Sequence, residues 1–220
     1  MSAIRPRRSV LYMPGANERA LEKAKTLPAD SLILDLEDAV APEAKIEARD
    51  RVCGVVKAGG YGPRELIIRV IGQDTEWGKA DLKAAAHAGP DAILAPKVTS
   101  GDDIRWLDEA LSQAGADAGL QLWVMIETPL AILNLKEIAA AARTTRLRGF
   151  VMGSNDLLKD SAPIRCRAAR ISPLPTPLRS LRRERSTSWY SMASTTTSPT
   201  PKASQRKRDN RKPSGSTGRP

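Results

Sequence analysis

The sequence predicts an α/β fold, a TIM (β/α)8-type barrel truncated after about six βα units, with a disordered basic C-terminal tail. Three observations predict it. Six short runs of strand formers alternate with helical periods across residues 1–160, and that alternation demands a parallel sheet with helices outside it. No GxGxxG follows the first run, so the usual mark of a dinucleotide-binding sheet is absent. Finally, Asp35, Glu37, Asp38, Arg69, Lys97, Glu127, Asn155 and Asp156 all stand at or just past C-terminal strand ends. In a barrel those ends converge on a single mouth.

The elements follow in order. Ser9 to Met13 reads as the first strand, stopped by Pro14-Gly15, and Asn17 is placed to cap a helix running to about Thr26. Leu32-Ile33-Leu34 is the second strand, ending in Asp35-Leu36-Glu37-Asp38, with a helix after Pro42. Leu66-Ile67-Ile68 is the third and ends at Arg69, with a helix from about Thr75 to His87. Ala92-Ile93-Leu94 is the fourth and ends at Pro96-Lys97, with Asp102 or Asp103 opening the next helix. Leu122 to Ile126 is an apolar run too short for a helix, which reads as a strand buried on both faces. Glu127 stands at its end, and Thr128-Pro129 opens an amphipathic helix carrying Leu130, Leu133 and Ile138. Gly149 to Met152 repeats the pattern and ends in Gly153-Ser154-Asn155-Asp156. Glu127 and Asp156, on neighbouring strand ends, are therefore placed to grip one cation.

Charge divides the chain in two. Residues 1–160 hold 21 Lys and Arg against 23 Asp and Glu, a net of −2; residues 161–220 hold 14 against 2, a net of +12. The overall +10 thus belongs to the tail. That tail is rich in Pro, Ser, Thr and Arg and has no strand run, so it cannot bury enough apolar surface to offset its ordering entropy and reads as disordered. The abrupt change of composition suggests a shifted reading frame. No apolar run approaches the length of a membrane span, and the N-terminus has no cleavage-site pattern, which predicts a cytoplasmic protein. Cys53 and Cys166 show no metal-ligand spacing. Trp77, Trp106 and Trp123 read as packing residues, and His87, the one histidine, as a helix residue without a catalytic part.

With these residues laid out, the sequence resembles the citrate lyase β-subunit-like family of the HpcH/HpaI aldolase superfamily, in its malyl-CoA or citryl-CoA lyase branch. The motifs that carry the resemblance are Arg8 to Gly15 with Asn17-Glu18-Arg19, Asp35 to Val40 with Lys45 and Arg49, Arg69-Val70, Pro96-Lys97-Val98, Met125 to Pro129, and Gly153 to Leu157. They span roughly residues 7–160. Ile71 departs from the Asn usual after Arg-Val. The family's C-terminal portion, which closes the barrel and carries a lid whose acid serves a neighbouring subunit, has no counterpart among the motifs.

The resemblance implies retro-aldol cleavage of a β-hydroxyacyl-CoA to acetyl-CoA and an oxo acid, assisted by Mg²⁺, in a homo-oligomer of three or six subunits. It assigns the metal to Glu127 and Asp156, catalysis and substrate binding to Arg69 and Glu127, and metal-bound waters to Glu37 and Asp38. Arg19 and Lys97 are the candidates for the CoA phosphates. Each has a structural rival: Arg69 could simply pair with Glu37 or Asp38, Lys97 could form an ion pair, and Arg19 could be a solvated helix residue. Two other functions compete. One is a metal-dependent aldolase acting on free 2-oxo acids. The other is a nucleic-acid binder using the basic tail, against which stands the absence of interleaved aromatics or a recognised motif. A sheet ending after six units would also leave both edges open, predicting poor solubility unless association covers them.

Overall fold

The computed structural model describes residues 7–161. The tail anticipated as disordered, with Cys166, lies outside them but for Ser161.

Six parallel strands lie side by side in chain order: β1 (Val10–Pro14), β2 (Ser31–Asp35), β3 (Glu65–Arg69), β4 (Ala92–Ala95), β5 (Gln121–Ile126) and β6 (Leu147–Met152). Seven α-helices connect or follow them: α1 (Glu18–Ala24), α2 (Lys45–Ala58), α3 (Gly78–Ala88), α4 (Gly101–Gln113), α5 (Pro129–Leu133), α6 (Leu135–Ala141) and α7 (Ser154–Asp160). Each strand pairs only with its sequence neighbours, so β1 and β6 are the two edges among the described residues. This is the strand–helix alternation expected of a TIM-type barrel, with six strands described.

Side chains alternate between two faces because the strand period is two. One face carries Leu32, Leu34, Leu66, Ile68, Ile93, Leu122, Val124 and Ile126 into the main core, under the helices. The other carries Ile33, Ile67, Ala92, Leu94, Trp123 and Met125 into a second, smaller core. The same alternation sets Asp35, Arg69 and Glu127 on that inner side, each two residues beyond an inner apolar residue. At the opposite end of the strands Arg7 grips Glu65 through Nε and Nη2 at 2.6 and 2.7 Å, and Ser31 donates to the same carboxylate.

Several local expectations are corrected. The first turn of α4 is capped by Ser100, and Asp103 completes a capping box instead of starting the helix. Residues 75–77 form a turn, so α3 begins at Gly78. The amphipathic helix after Thr128 is two short helices broken at Asn134, whose side chain donates to the Thr99 carbonyl at 2.9 Å. Leu133 is 80% exposed and Leu130 about half exposed, whereas Ile138 is buried. Trp106 is also 45% exposed, while Trp123 is buried. Ile71 is buried in the main core, which gives its apolar side chain a packing role after Arg69. The cap at Asn17 forms as anticipated, accepting from Ala20 N at 3.0 Å, and Thr128 also caps its helix, accepting from Ala131 N at 3.1 Å.

Candidate active site

The charged residues of the mouth sit where strands end and loops begin. Arg69 closes β3 and is buried with Asp35, its register partner on β2. The pair is bidentate: Nε donates to Oδ1 and Nη2 to Oδ2, both at 2.6 Å. The remaining corner of the guanidinium, Nη1, reaches Asp38 at 2.9 Å, Glu37 at 3.2 Å and Met125 Sδ at 3.6 Å. Tyr12 on β1 places its ring centroid 5.2 Å from Arg69 Cζ. Burial works against the guanidinium's charge, but Asp35, Asp38 and Glu37 outweigh it and hold its pKa above the ordinary value. Arg69 is thus paired with Glu37 and Asp38, and more tightly with Asp35.

Glu127, one residue past β5, is buried. Its Oε1 accepts the Lys97 backbone N–H at 2.7 Å. That amide is aimed by an unusual backbone: Lys97 has φ of +54°, the left-handed region that costs a non-glycine residue about 1–2 kcal/mol. On the other side β6 brings Gly153 so close that a Cβ there would lie 2.4 Å from Glu127 Cβ and 2.7 Å from Oε2. Only a glycine leaves room for the carboxylate. Burial pushes the Glu127 carboxyl upward; the Lys97 N–H opposes this and the charge of Asp156 adds to it. Asp156, in the first turn of α7, is therefore electrically coupled to Glu127 across the β5–β6 seam.

Glu37 is the most perturbed carboxyl of the mouth. Burial pushes it up to about 7, Arg69 pulls it down, and the charges of Asp38 and Glu127 raise it further. Lys97 points its exposed side chain to the same region and lowers it slightly. The structure therefore brings together Arg69, Glu37, Asp38, Lys97, Glu127 and Asp156. Arg19 is in the first turn of α1, exposed, and none of these contacts includes it. His87 is on α3, with Nδ1 against the Lys83 carbonyl at 2.9 Å.

The surplus of negative charge is the mouth's chief electrostatic feature. Asp35, Glu37, Asp38, Glu127 and Asp156 face Arg69 and Lys97, so five acids meet two bases. Among the described residues no group of three or more His, Cys, Asp or Glu side chains is placed to hold a metal ion. Mg²⁺ does not require one, since it commonly takes one or two carboxylates and leaves its other positions to water and substrate. A buried, backbone-oriented Glu127 beside Asp156 fits that donor set.

Sequence reasoning missed three contributors. Asp35 is placed at the mouth without a role, Tyr12 reads only as a strand residue, and Lys97 acts on Glu127 through its backbone. Period-two alternation from Ile33 to Asp35 was the signal that could have found the first; nothing in the residue types signals the Lys97 conformation.

Comparison with known proteins bears on the family and the fold. The HpcH/HpaI aldolase/citrate lyase family model matches residues 8–164. A (3S)-malyl-CoA thioesterase of Cereibacter sphaeroides is 52% identical over 155 residues, covering 70% of this chain and 51% of that protein. The citrate lyase subunit beta of Escherichia coli is 35% identical over 161 residues, covering 71% and 53%. Among solved structures, the CitE protein of Mycobacterium tuberculosis in complex with magnesium, acetoacetate and coenzyme A superposes with a TM-score of 0.57 at 25% identity, covering 76% of this chain and 57% of that one. The chain spans about half the length of the two named relatives it matches.

Proposed function

For a chain that belongs to the HpcH/HpaI aldolase/citrate lyase family, we propose a Mg²⁺-dependent reaction on a β-hydroxyacyl-CoA of the malyl-CoA or citryl-CoA type. The reaction is retro-aldol cleavage to acetyl-CoA and an oxo acid. The observation that carries this reading is the pair Glu127 and Asp156 at adjoining strand ends, with Glu127 buried, oriented by the Lys97 amide and given room by Gly153. The magnesium bound in a CitE structure with acetoacetate and coenzyme A supports it by likeness.

Glu127 and Asp156 would hold the ion, which when bound supplies Lewis-acid polarisation of a carbonyl or hydroxyl oxygen. Glu37 and Asp38 would orient waters around it. Cleavage breaks the bond between the hydroxyl-bearing carbon and the carbon next to the thioester. The electron pair passes to the thioester side as an enolate, and the hydroxyl loses its proton to become the new carbonyl. Arg69 would meet that developing negative charge at Nη1 by exchanging its weak contact to Met125 Sδ for the substrate oxygen while Asp38 keeps its own bond, in a site that burial makes less able to screen the charge. Glu37, whose carboxyl is pushed up to about 7, would be the group able to hold and return a proton near neutral pH. Arg19 and Lys97, both exposed, would be met by CoA phosphates.

A second reading is hydrolysis of the thioester, favoured by the name of the 52% identical relative. Water would then attack the thioester carbonyl and release free thiol and the hydroxy acid. One incubation of malyl-CoA with Mg²⁺ separates the two: cleavage gives acetyl-CoA and glyoxylate without free thiol, hydrolysis gives free CoA thiol and malate. Acetyl-CoA formation that requires Glu127 is the expected result. Turnover of neither kind would overturn the proposal for this chain.

A further inference from the structure

Asp35 has all four of its hydrogen bonds directed at the mouth's own machinery. Oδ1 accepts from Arg69 Nε at 2.6 Å and from the Glu37 backbone N–H at 2.8 Å. Oδ2 accepts from Arg69 Nη2 at 2.6 Å and from the Ala39 N–H at 3.1 Å. One buried carboxylate thus fixes both the rotation of the guanidinium and the backbone of the loop that bears Glu37 and Asp38. We propose that Asp35 is the positioning residue of the site: by occupying the Nε–Nη2 edge of Arg69, it holds the Nη1 corner at the mouth, where Nη1 meets Asp38 and Glu37 and its weak contact to Met125 Sδ is the one a substrate oxygen would replace. This rests on the reading of Arg69 and the metal pair given above.

Two physical points support it. An arginine among several acids pairs with whichever is nearest, and a charge-assisted fork is the strongest contact it can make. With Asp35 removed, the nearest acids are Asp38 and Glu37, and the guanidinium would turn toward them. A guanidinium held along one edge by a bidentate carboxylate also cannot rotate, so Nη1 keeps a fixed direction at the mouth.

The test compares Asp35→Asn with Asp81→Asn. Asp81, in the first turn of α3, is also buried and paired with an arginine, Arg49 of α2 at 3.3 Å, and is not one of the mouth's acids. Three quantities are measured on the full chain: the Arg69 Nε–H resonance by NMR, Mg²⁺ affinity by calorimetry, and pyruvate affinity in the presence of Mg²⁺. Wild type should show a slowly exchanging, downfield Nε–H. Asp35→Asn should lose it, keep Mg²⁺ affinity within about twofold and weaken pyruvate about 10–100-fold, the usual loss when an outer partner is removed. Asp81→Asn should keep both affinities. Should Asp35→Asn fail to fold, Asp35→Glu keeps the charge but displaces the guanidinium by one methylene, and should still weaken pyruvate alone. Unchanged pyruvate affinity in a folded Asp35 variant, equal losses in the Asp81 variant, or no protected Nε–H in wild type would each overturn the inference. Wild-type protein that binds no Mg²⁺ would instead refute the metal site, while the resonance still decides whether Asp35 clamps Arg69.

Discussion

Replacing Glu37 with glutamine should make the protein more stable at alkaline pH and leave it unchanged in acid. Glu37 lies 3.2 Å from Arg69 Nη1, yet that guanidinium already serves Asp35 twice and Asp38 once, and burial dominates. The carboxyl rises from an ordinary 4.5 to about 7. At 1.36 kcal/mol per unit, a shift of about 2.5 units corresponds to on the order of 3 kcal/mol, an upper figure because water reaches part of the mouth. The folded state binds the proton more tightly than the unfolded one. Stability from Glu37 is therefore fully present below about pH 4.5 and is lost as pH rises through about 7. Glutamine cannot ionise and avoids that loss. Urea unfolding of both proteins at several pH values from 4.5 to 8 measures it; the raised carboxyl of Asp81 acts in both and cancels in the difference. The variant's advantage should grow with pH to a few kcal/mol. A variant less stable at pH 8, or a difference flat in pH, would mean that the Arg69 ion pair outweighs burial and that the reasoning is wrong.

Two further substitutions probe how Glu127 is held. Lys97→Gly removes the left-handed strain while keeping the N–H that Oε1 accepts, so stability should change by less than about 1 kcal/mol, strain relief opposing glycine's entropy. Mg²⁺ affinity should be retained; calorimetry showing a large loss would give the lysine side chain a part in metal binding. Gly153→Ala sets a methyl 2.4 Å from Glu127 Cβ, and should cost about 1–3 kcal/mol in chemical denaturation and displace the carboxylate from Asp156. Wild-type stability and Mg²⁺ binding in that variant would refute the close approach.

The fold was legible because its signals are periodic. Apolar runs such as Leu122 to Ile126 and their helical intervals repeat often enough to define a parallel sheet in chain order. The ends of those runs announced Arg69, Glu127 and Asp156 for the same reason. What escaped depends on three-dimensional competition. Thr128 to Ala141 has the composition of one helix, but the Asn134 amide finds the Thr99 carbonyl and the helix breaks there. Asp103 resembled a cap, yet Ser100 could accept its N–H while Asp103 bonded back to the Ser100 and Thr99 amides. The edge of Arg69 belongs to Asp35 because the β2–β3 register sets the two side by side, and no spacing within one strand could display that. The resemblance to the citrate lyase β-like family came from ordered motifs, and the family match over residues 8–164 bears it out.

The central claim is that Glu127 and Asp156 form a magnesium site that prepares the mouth for an oxo acid. Calorimetric titration of Mg²⁺ into wild-type protein and a Glu127→Ala variant, each with pyruvate present, tests it most directly. The account predicts saturable binding in wild type and none in the variant, with circular dichroism showing both folded. Equal binding in the two would place the metal elsewhere, and a folded wild-type protein that binds no Mg²⁺ would contradict the account.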